Sequence, residues 1–332
     1  MTTQIPLSVL DLAHVASGTS IRDALLRSQS IASCAEQAGY KRYWLAEHHG
    51  MRGVASAATA VLLASVGAAT SNIRIGAGGV MLPNHAPLVI AEQFGTLAEL
   101  YPGRVELGLG RAPGTDLATA RALRRNIQAD AERYPQDIEQ LQQFFAEPSD
   151  KQQVIAIPGA GTHVPLWLLG SSLYSAQLAA HKGLPFSFAS HFAPDMLQDA
   201  ISIYRANFRP SEQLSQPYVS AGVMAVIGET QEQARQLFTS VQQQFANLHR
   251  GANQAMPAPV EDIRLALNEM EIRAINNTLR YAAVGNTEQV EAQLSEFAQA
   301  FDVDELILSF PITDPNACLS AIKQAGAMHI AK

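Results

Sequence analysis

Three titratable side chains follow one another directly after an apolar run. Glu47, His48 and His49 come after residues 43–46, which are apolar throughout. A histidine can take up or release a proton near neutral pH, so the group suits acid–base chemistry. Adjacent side chains in an extended segment point to opposite faces, and only one of the two histidines can therefore face a given cavity. A surface or helix-capping role is the alternative for all three.

A second group of residues has the chemistry of a phosphate site. Arg111 directly follows an apolar run, where a guanidinium can bind phosphate through two parallel hydrogen bonds. Gly170, Ser171 and Ser172 open a stretch with helical spacing that also carries Ser175. Small hydroxyl residues at a helix N-terminus combine free N–H groups, the positive end of the helix dipole and side-chain oxygens. The pattern predicts an anion site, with simple helix capping as the alternative.

A pair of glycines ends another apolar run. Gly78 and Gly79 follow residues 73–77. The two missing Cβ atoms would let a flat ligand or a constrained backbone approach this point. A tight turn is the alternative explanation.

A metal site is the competing hypothesis for the histidines. Residues near the ends of apolar runs that would suit a metal-dependent hydrolase are His48, His85 and His191. The first apolar run lacks the HxH pair with which many metallohydrolase barrels begin, and no Asp or Glu ends the last one. Cys34 and Cys318 lie far apart without a CxxC motif, so neither a cysteine zinc site nor a disulfide framework is indicated. We predict no metal.

Alternating strands and helices would position these residues. Eight short runs rich in Val, Ile, Leu and Phe predict strands at residues 5–10, 41–46, 73–78, 104–109, 166–169, 185–189, 218–227 and 305–310. Most are apolar nearly throughout rather than alternating, as in a parallel sheet covered on both faces. Helical spacing predicts helices at residues 20–38, 54–70, 86–100, 172–182 and 287–300. The alternation favours an α/β fold, a (β/α)8 TIM barrel with its chemistry at the C-terminal strand ends.

Two intervals between predicted strands are too long for a single helix. Residues 111–165 and 228–304 predict insertions at the barrel mouth after strands 4 and 7, and the second, which contains the polar, proline-bearing residues 251–259, suits a lid. No linker or internal repeat divides the chain. We predict a single domain over residues 1–332.

Composition excludes several classes of protein. Of 332 residues, 47% are hydrophobic and 16% charged, which excludes a disordered chain and allows a large core. The net charge of -7 offers no basic surface to nucleic acid or an anionic membrane. The most apolar segment, residues 54–70, is shorter than the roughly 20 strongly apolar residues of a membrane span. The N-terminus lacks the basic region of a signal peptide, so we expect a cytoplasmic protein.

Four motifs, in order, resemble the bacterial luciferase-like flavin monooxygenases, and in particular a branch of luciferase alpha-like bacterial oxidoreductases. These motifs are residues 44–49, 76–83, 103–111 and 170–185, and the resemblance covers most of the chain. It implies a TIM barrel, usually a homodimer, that binds FMN at the C-terminal mouth.

The resemblance also implies roles for single residues. His48 matches the family's proposed catalytic base, with Glu47 beside it. The bond between Gly78 and Gly79 matches a non-proline cis peptide under the flavin ring. The residues that match the FMN phosphate cradle are Arg111, Ser171, Ser172 and Ser175, with Gly170 before them.

The implied reaction is an oxygenation. Reduced FMN, made by a separate NAD(P)H:flavin reductase, reacts with O2 to give a C4a-peroxyflavin, which oxygenates a small organic substrate such as an aldehyde. A deazaflavin (F420)-dependent oxidoreductase and a non-catalytic flavin-binding barrel are alternatives. Luciferase alpha chains carry a cysteine in place of Gly110 and a glutamate in place of Ser171, so light emission is not implied.

Overall fold

In the computed structural model, described for residues 4–112, 116–123 and 132–332, eight parallel strands close into a barrel. The pairing of β6 with β7 and the place of β9 between β7 and β1 close the ring, with β8 paired to the end of β7. The predicted TIM barrel is confirmed. The strands are β1 Leu7–Asp11, β2 Arg42–Leu45, β3 Arg74–Met81, β4 Val105–Gly110, β5 Leu166–Gly170, β6 Phe186–Phe188, β7 Val219–Ile227, β8 Ala283–Gly285 and β9 Glu305–Ser309.

Helices surround the barrel, and their ends follow the capping residues. Ser20, Ser172 and Asn286 each accept a hydrogen bond from the backbone of the first turn. The helices are α1 Ile21–Gln37, α2 Thr59–Ala68, α3 Pro87–Leu100, α4 Leu117–Ala122, α5 Tyr134–Phe145, α6 Leu173–Lys182, α7 Leu197–Asn207, α8 Gln231–His249, α9 Glu269–Thr278, α10 Thr287–Phe301 and α11 Pro315–Gly326, with 3-10 turns at Leu82–Asn84 and Ile263–Leu265.

One predicted helix begins later than expected. The apolar pattern predicts a helix from residue 54, but α2 begins at Thr59. Val54 instead forms an antiparallel bridge with His14, and the N–H of Ala55 donates to the carbonyl of Ala13. This segment is therefore used to hold the loop after β1 rather than to extend the helix.

Strand β3 continues past its predicted end at Gly78 and contains an irregularity. Its register with β4 shifts between Ala77 and Val80, and the peptide bond between Gly78 and Gly79 is cis. A Cβ on Gly79 would lie 2.7 Å from the carbonyl oxygen of Gly108. Glycine is needed here because the backbones of β3 and β4 approach too closely for a side chain.

The insertion after β7 covers the barrel mouth. Helix α8 packs with residues of the following segment into a second small core that includes Met224, Met256 and Ile275. Residues 251–259, within the insertion predicted as a lid, cross the mouth: the N–H of Met256 donates to the carbonyl of Val15 at 2.9 Å, and the N–H of Ser17 donates to the carbonyl of Met256 at 2.8 Å. The insertion after β4 contains α4 and α5 within the described part of the chain.

The opposite end of the barrel is closed by buried charges. The Arg42 guanidinium lies 2.6 Å from Glu106 and 2.8 Å from Glu305, and stacks 4.5 Å from the centre of the Trp167 ring. Pairing compensates for most of the cost of burying these charges. Among the described residues, no helix combines the length and the apolar character needed to cross a bilayer.

Candidate active site

A cavity of about 850 Å³ lies at the C-terminal ends of the strands. This volume is within the range of cofactor and ligand sites. Eight of the nine predicted site residues line it, and Glu47 does not. The eight are His48, Gly78, Gly79, Arg111, Gly170, Ser171, Ser172 and Ser175.

One end of the cavity is built around the start of α6. The Ser172 side chain caps the helix by accepting from the N–H of Ser175, and the two hydroxyl oxygens lie 3.3 Å apart. A Cβ on Gly170 would lie 2.3 Å from Oγ of Ser175, so only glycine lets the strand end pack against this hydroxyl. The Arg111 guanidinium lies 4.2 Å from the centre of the Tyr174 ring. Cation and helix N-terminus thus face the same space.

These donors fit the phosphate of FMN. The first N–H groups of α6, two hydroxyls and a guanidinium are all hydrogen-bond donors suited to an anion. Among the described lining residues there is no Asp or Glu that would repel it. If FMN binds, Arg111, Ser172 and Ser175 would hold its phosphate; Gly78 and Gly79 line the same cavity.

Glu47 turns away from the cavity and joins two loops. Its Oε1 lies 2.7 Å from Nε2 of His49 and 2.8 Å from Nε2 of His85, and its Oε2 accepts from the N–H of Met81 at 3.2 Å. The carboxylate therefore fixes the loop after β2, which carries His48, against the end of β3. This geometry favours a positioning role for Glu47, and its catalytic role stays a prediction.

The environment keeps Glu47 ionised. Burial alone would raise its pKa, but the hydrogen bonds from His49 and His85, and the charges of these rings when protonated, outweigh burial and lower the pKa to about 2. A carboxyl group with such a pKa is an acceptor at neutral pH and does not serve as a general acid.

Replacing Glu47 with glutamine is expected to destabilise the protein by about 1–3 kcal/mol at pH 7, because the charged acceptor of two histidines is lost. The folded-state pKa lies below the ordinary value of 4.5, so the stabilisation is present above that value and is lost as the pH falls toward 2. Urea unfolding between pH 7 and pH 3 should show the difference between wild type and E47Q shrinking with pH. The exposed Glu99, changed to glutamine, is the control; an equal effect at both positions contradicts the assignment.

The three histidines of the competing metal hypothesis, His48, His85 and His191, do not share one site in the structure. His85 and His49 both hydrogen-bond Glu47, whereas His48 and His191 line the cavity. The donor atoms of Glu47, His49 and His85 lie within 4.8 Å of one another. Both rings already hydrogen-bond the same carboxylate oxygen, which accounts for this cluster without an ion.

Four histidines line the cavity, His14, His48, His191 and His249, of which sequence reasoning assigned only His48 to the flavin chemistry. His48 reaches the cavity while His49 turns to Glu47, as expected for neighbours in an extended segment. Burial, helped by the charges of Arg27 and His48 and opposed by Asp11, lowers the pKa of His14 to about 4. Burial and the charge of His48 likewise lower the pKa of His191 to about 4. His48 thus lies within electrostatic range of two neutral rings.

The loop that carries His14 is held by a buried carboxylate. Asp11 accepts from the N–H of Ala13 at 2.8 Å and from the hydroxyls of Ser28 and Tyr43 at 2.6 Å. The hydrogen bond from Tyr43 joins residues 32 positions apart, so no local sequence signal marks His14 as a cavity residue. Gln244 on α8 also lines the cavity without a local sequence signal that marks it.

Most of the chain matches one protein family in sequence. A model of the family described as luciferase-like monooxygenase matches residues 5–304. A luciferase-like monooxygenase from Escherichia coli K12 is 46% identical over 321 residues, which are 97% of this chain and 96% of that protein. An N-acetyl-S-alkylcysteine monooxygenase from Bacillus subtilis is 30% identical over 90% of this chain and 82% of its own length.

Solved structures share the fold. Apo-MsnO8 is 30% identical and superposes with a TM-score of 0.86 over 97% of both chains. The oxygenating constituent of 3,6-diketocamphane monooxygenase from Pseudomonas putida, in complex with FMN, is 15% identical (TM-score 0.72, 99% and 98% covered). An F420-dependent secondary alcohol dehydrogenase, also 15% identical, gives 0.71 over 97% and 98% of the two chains. At this identity the last two show the fold alone.

Proposed function

The chain belongs to the luciferase-like monooxygenase family, and from that premise we propose that it is an FMN-dependent monooxygenase that uses reduced FMN and O2 to oxygenate a small organic substrate. Reduced flavin, when bound, supplies the two electrons with which one atom of O2 enters the substrate while the other leaves as water.

The observation that carries the proposal is the anion-binding end of the cavity. Arg111 and the α6 N-terminus converge at a site whose described lining contains no other Arg, no Lys and no carboxylate. A single phosphate at one end of a flat ring matches this distribution of charge. The glycine pair on β3 adds a floor without side chains, on which an isoalloxazine ring could lie.

The chain's own residues would then have three tasks. Arg111, Ser172 and Ser175 bind the phosphate and so fix the position of the ring. Helix α8 and the crossing segment exclude water from the mouth through apolar side chains such as Phe245, and water exclusion protects a reactive site from side reactions. His48 would hold or accept the one proton that the reaction has to move.

The proposal extends to the supply of electrons and to assembly. The sequence carries no second nucleotide-binding motif, which favours a separate NAD(P)H:flavin reductase as the source of reduced FMN. Val61 on α2 and Leu100 on α3 are 73% and 59% exposed, and such apolar side chains suit a subunit interface in a homodimer. We place the protein in the cytoplasm, which agrees with a separate reductase and with a homodimer.

The cofactor is tested by reconstitution. Purified protein is titrated with FMN and, separately, with F420, and binding is followed by flavin fluorescence and absorbance. We expect FMN to bind tighter than F420 by at least tenfold, because the anion end is built for one terminal phosphate. Tighter binding of F420, with its reduction by an alcohol, would instead make the protein a deazaflavin-dependent oxidoreductase.

A further inference from the structure

The end of the cavity away from Arg111 is chemically different from the phosphate end. Side chains from β7, α8 and the crossing segment make it largely apolar: Met224, Val241, Phe245, Leu248 and Met256. The described lining residues include no carboxylate, and their one arginine lies at the opposite end. A charged group placed here would lose its hydration without gaining a partner.

The ring of His191 is fixed against a glycine. A Cβ on Gly222 would lie 2.2 Å from Nδ1 of His191, so this edge of the ring packs directly on the strand backbone. Nδ1 is buried and has no hydrogen-bond partner in the described part of the chain. Since a hydrogen on Nδ1 would find no acceptor among the described residues, we assign the proton of the neutral ring to Nε2.

Two of the four cavity histidines, His191 and His14, add no positive charge at neutral pH; the other two are His48 and His249. The pKa of His191 and that of His14 are both lowered to about 4, in each case chiefly by burial. Neither ring would therefore attract a carboxylate or a sulfonate. His191 instead offers one neutral N–H donor in apolar surroundings.

On the basis of the proposed function, we infer that this end of the cavity selects an uncharged, largely apolar substrate, and that His191 orients it by donating a hydrogen bond from Nε2 to one substrate oxygen. His191 is then a specificity-determining residue, and Gly222 is required because it leaves room for the ring. The Gln244 side chain, whose buried Oε1 has no partner among the described residues, lies at the same end and can accept from a substrate or from water.

Three ligands of equal chain length test the inference: 2-octanone, octanoate and octane. Each is titrated by calorimetry into protein loaded with oxidised FMN, and into the cofactor-free protein. We expect 2-octanone to bind at least tenfold tighter than octanoate. We expect H191F and G222A to lower the affinity for 2-octanone by about 3- to 10-fold, which is the effect of one hydrogen bond. The affinity for octane should stay within about twofold of wild type.

Several results would overturn the inference. These are octanoate binding as tightly as 2-octanone, no binding of 2-octanone, or equal weakening of 2-octanone and octane in H191F. Thermal unfolding checks that both variants fold, and H191N, which keeps a donor of smaller size, should recover part of the 2-octanone affinity. Failure of FMN to bind wild type would count against the proposed function alone, since the titrations of the cofactor-free protein still decide the selectivity.

Discussion

Replacing Arg111 with alanine is expected to weaken FMN binding by roughly 10- to 100-fold while leaving riboflavin binding within about twofold. A hydrogen bond to a charged group contributes about 1.5–3 kcal/mol, and every 1.4 kcal/mol is about tenfold in affinity. Riboflavin has the same ring and ribityl chain but no phosphate, so it does not use the guanidinium. The Arg111 side chain is already held over the Tyr174 ring at 4.2 Å, so little ordering is needed when phosphate binds.

The controls separate the local effect from a general change in charge. Arg235 on α8 is exposed and does not line the cavity, and R235A should change neither affinity. R111K keeps the charge but loses the paired donors, so its affinity for FMN should lie between that of wild type and that of R111A. Equal losses for FMN and riboflavin in R111A would show that the residue does not bind phosphate.

Replacing His48 with alanine is expected to lower the turnover of substrate by about 10²- to 10⁴-fold, the usual contribution of a positioned acid–base group. FMN affinity and thermal stability should change little, because Glu47 joins the loops after β2 and β3 and is kept in the variant. The loss should therefore appear in the rate of product formation at saturating FMN. H48Q, which keeps a polar side chain but cannot titrate, should resemble alanine.

A matched histidine distinguishes this role from a nonspecific effect. His181, in the last turn of α6, is exposed and does not line the cavity, so H181A should turn over as wild type does. Full activity of H48A would remove His48 from the chemistry and direct attention to the other imidazoles of the cavity, His14, His191 and His249.

Sequence reasoning predicts those features that depend on local pattern. Mostly apolar runs located all eight barrel strands, because strands buried on both faces carry few polar residues. Ser172 and Gly183 marked both ends of α6, since a capping side chain and a left-handed residue (φ 62° at Gly183) are local requirements. The alternation of side chains correctly predicted that His48 and His49 would separate.

The remaining features depend on contacts between distant segments. Strand β8 was missed because Ala283–Gly285 is three residues long and is defined by its pairing with β7. Glu47 meets His85 across 38 positions, so the sequence showed a cluster at the barrel mouth but not that its carboxylate faces another loop. Whether a cavity histidine is neutral depends on burial by elements far apart in sequence, as at His191.

The measurement that tests the central claim most directly is the reaction of protein-bound reduced FMN with O2. The complex is prepared without oxygen, mixed rapidly with oxygenated buffer, and followed by absorbance while hydrogen peroxide is quantified. We predict a spectrum distinct from those of reduced and oxidised FMN, lasting longer than any seen with free FMN. A substrate that the protein oxygenates should make this spectrum decay faster and lower the yield of hydrogen peroxide. Reoxidation at the rate of free FMN, with peroxide equal to the flavin added and no such spectrum, would contradict the assignment as a monooxygenase.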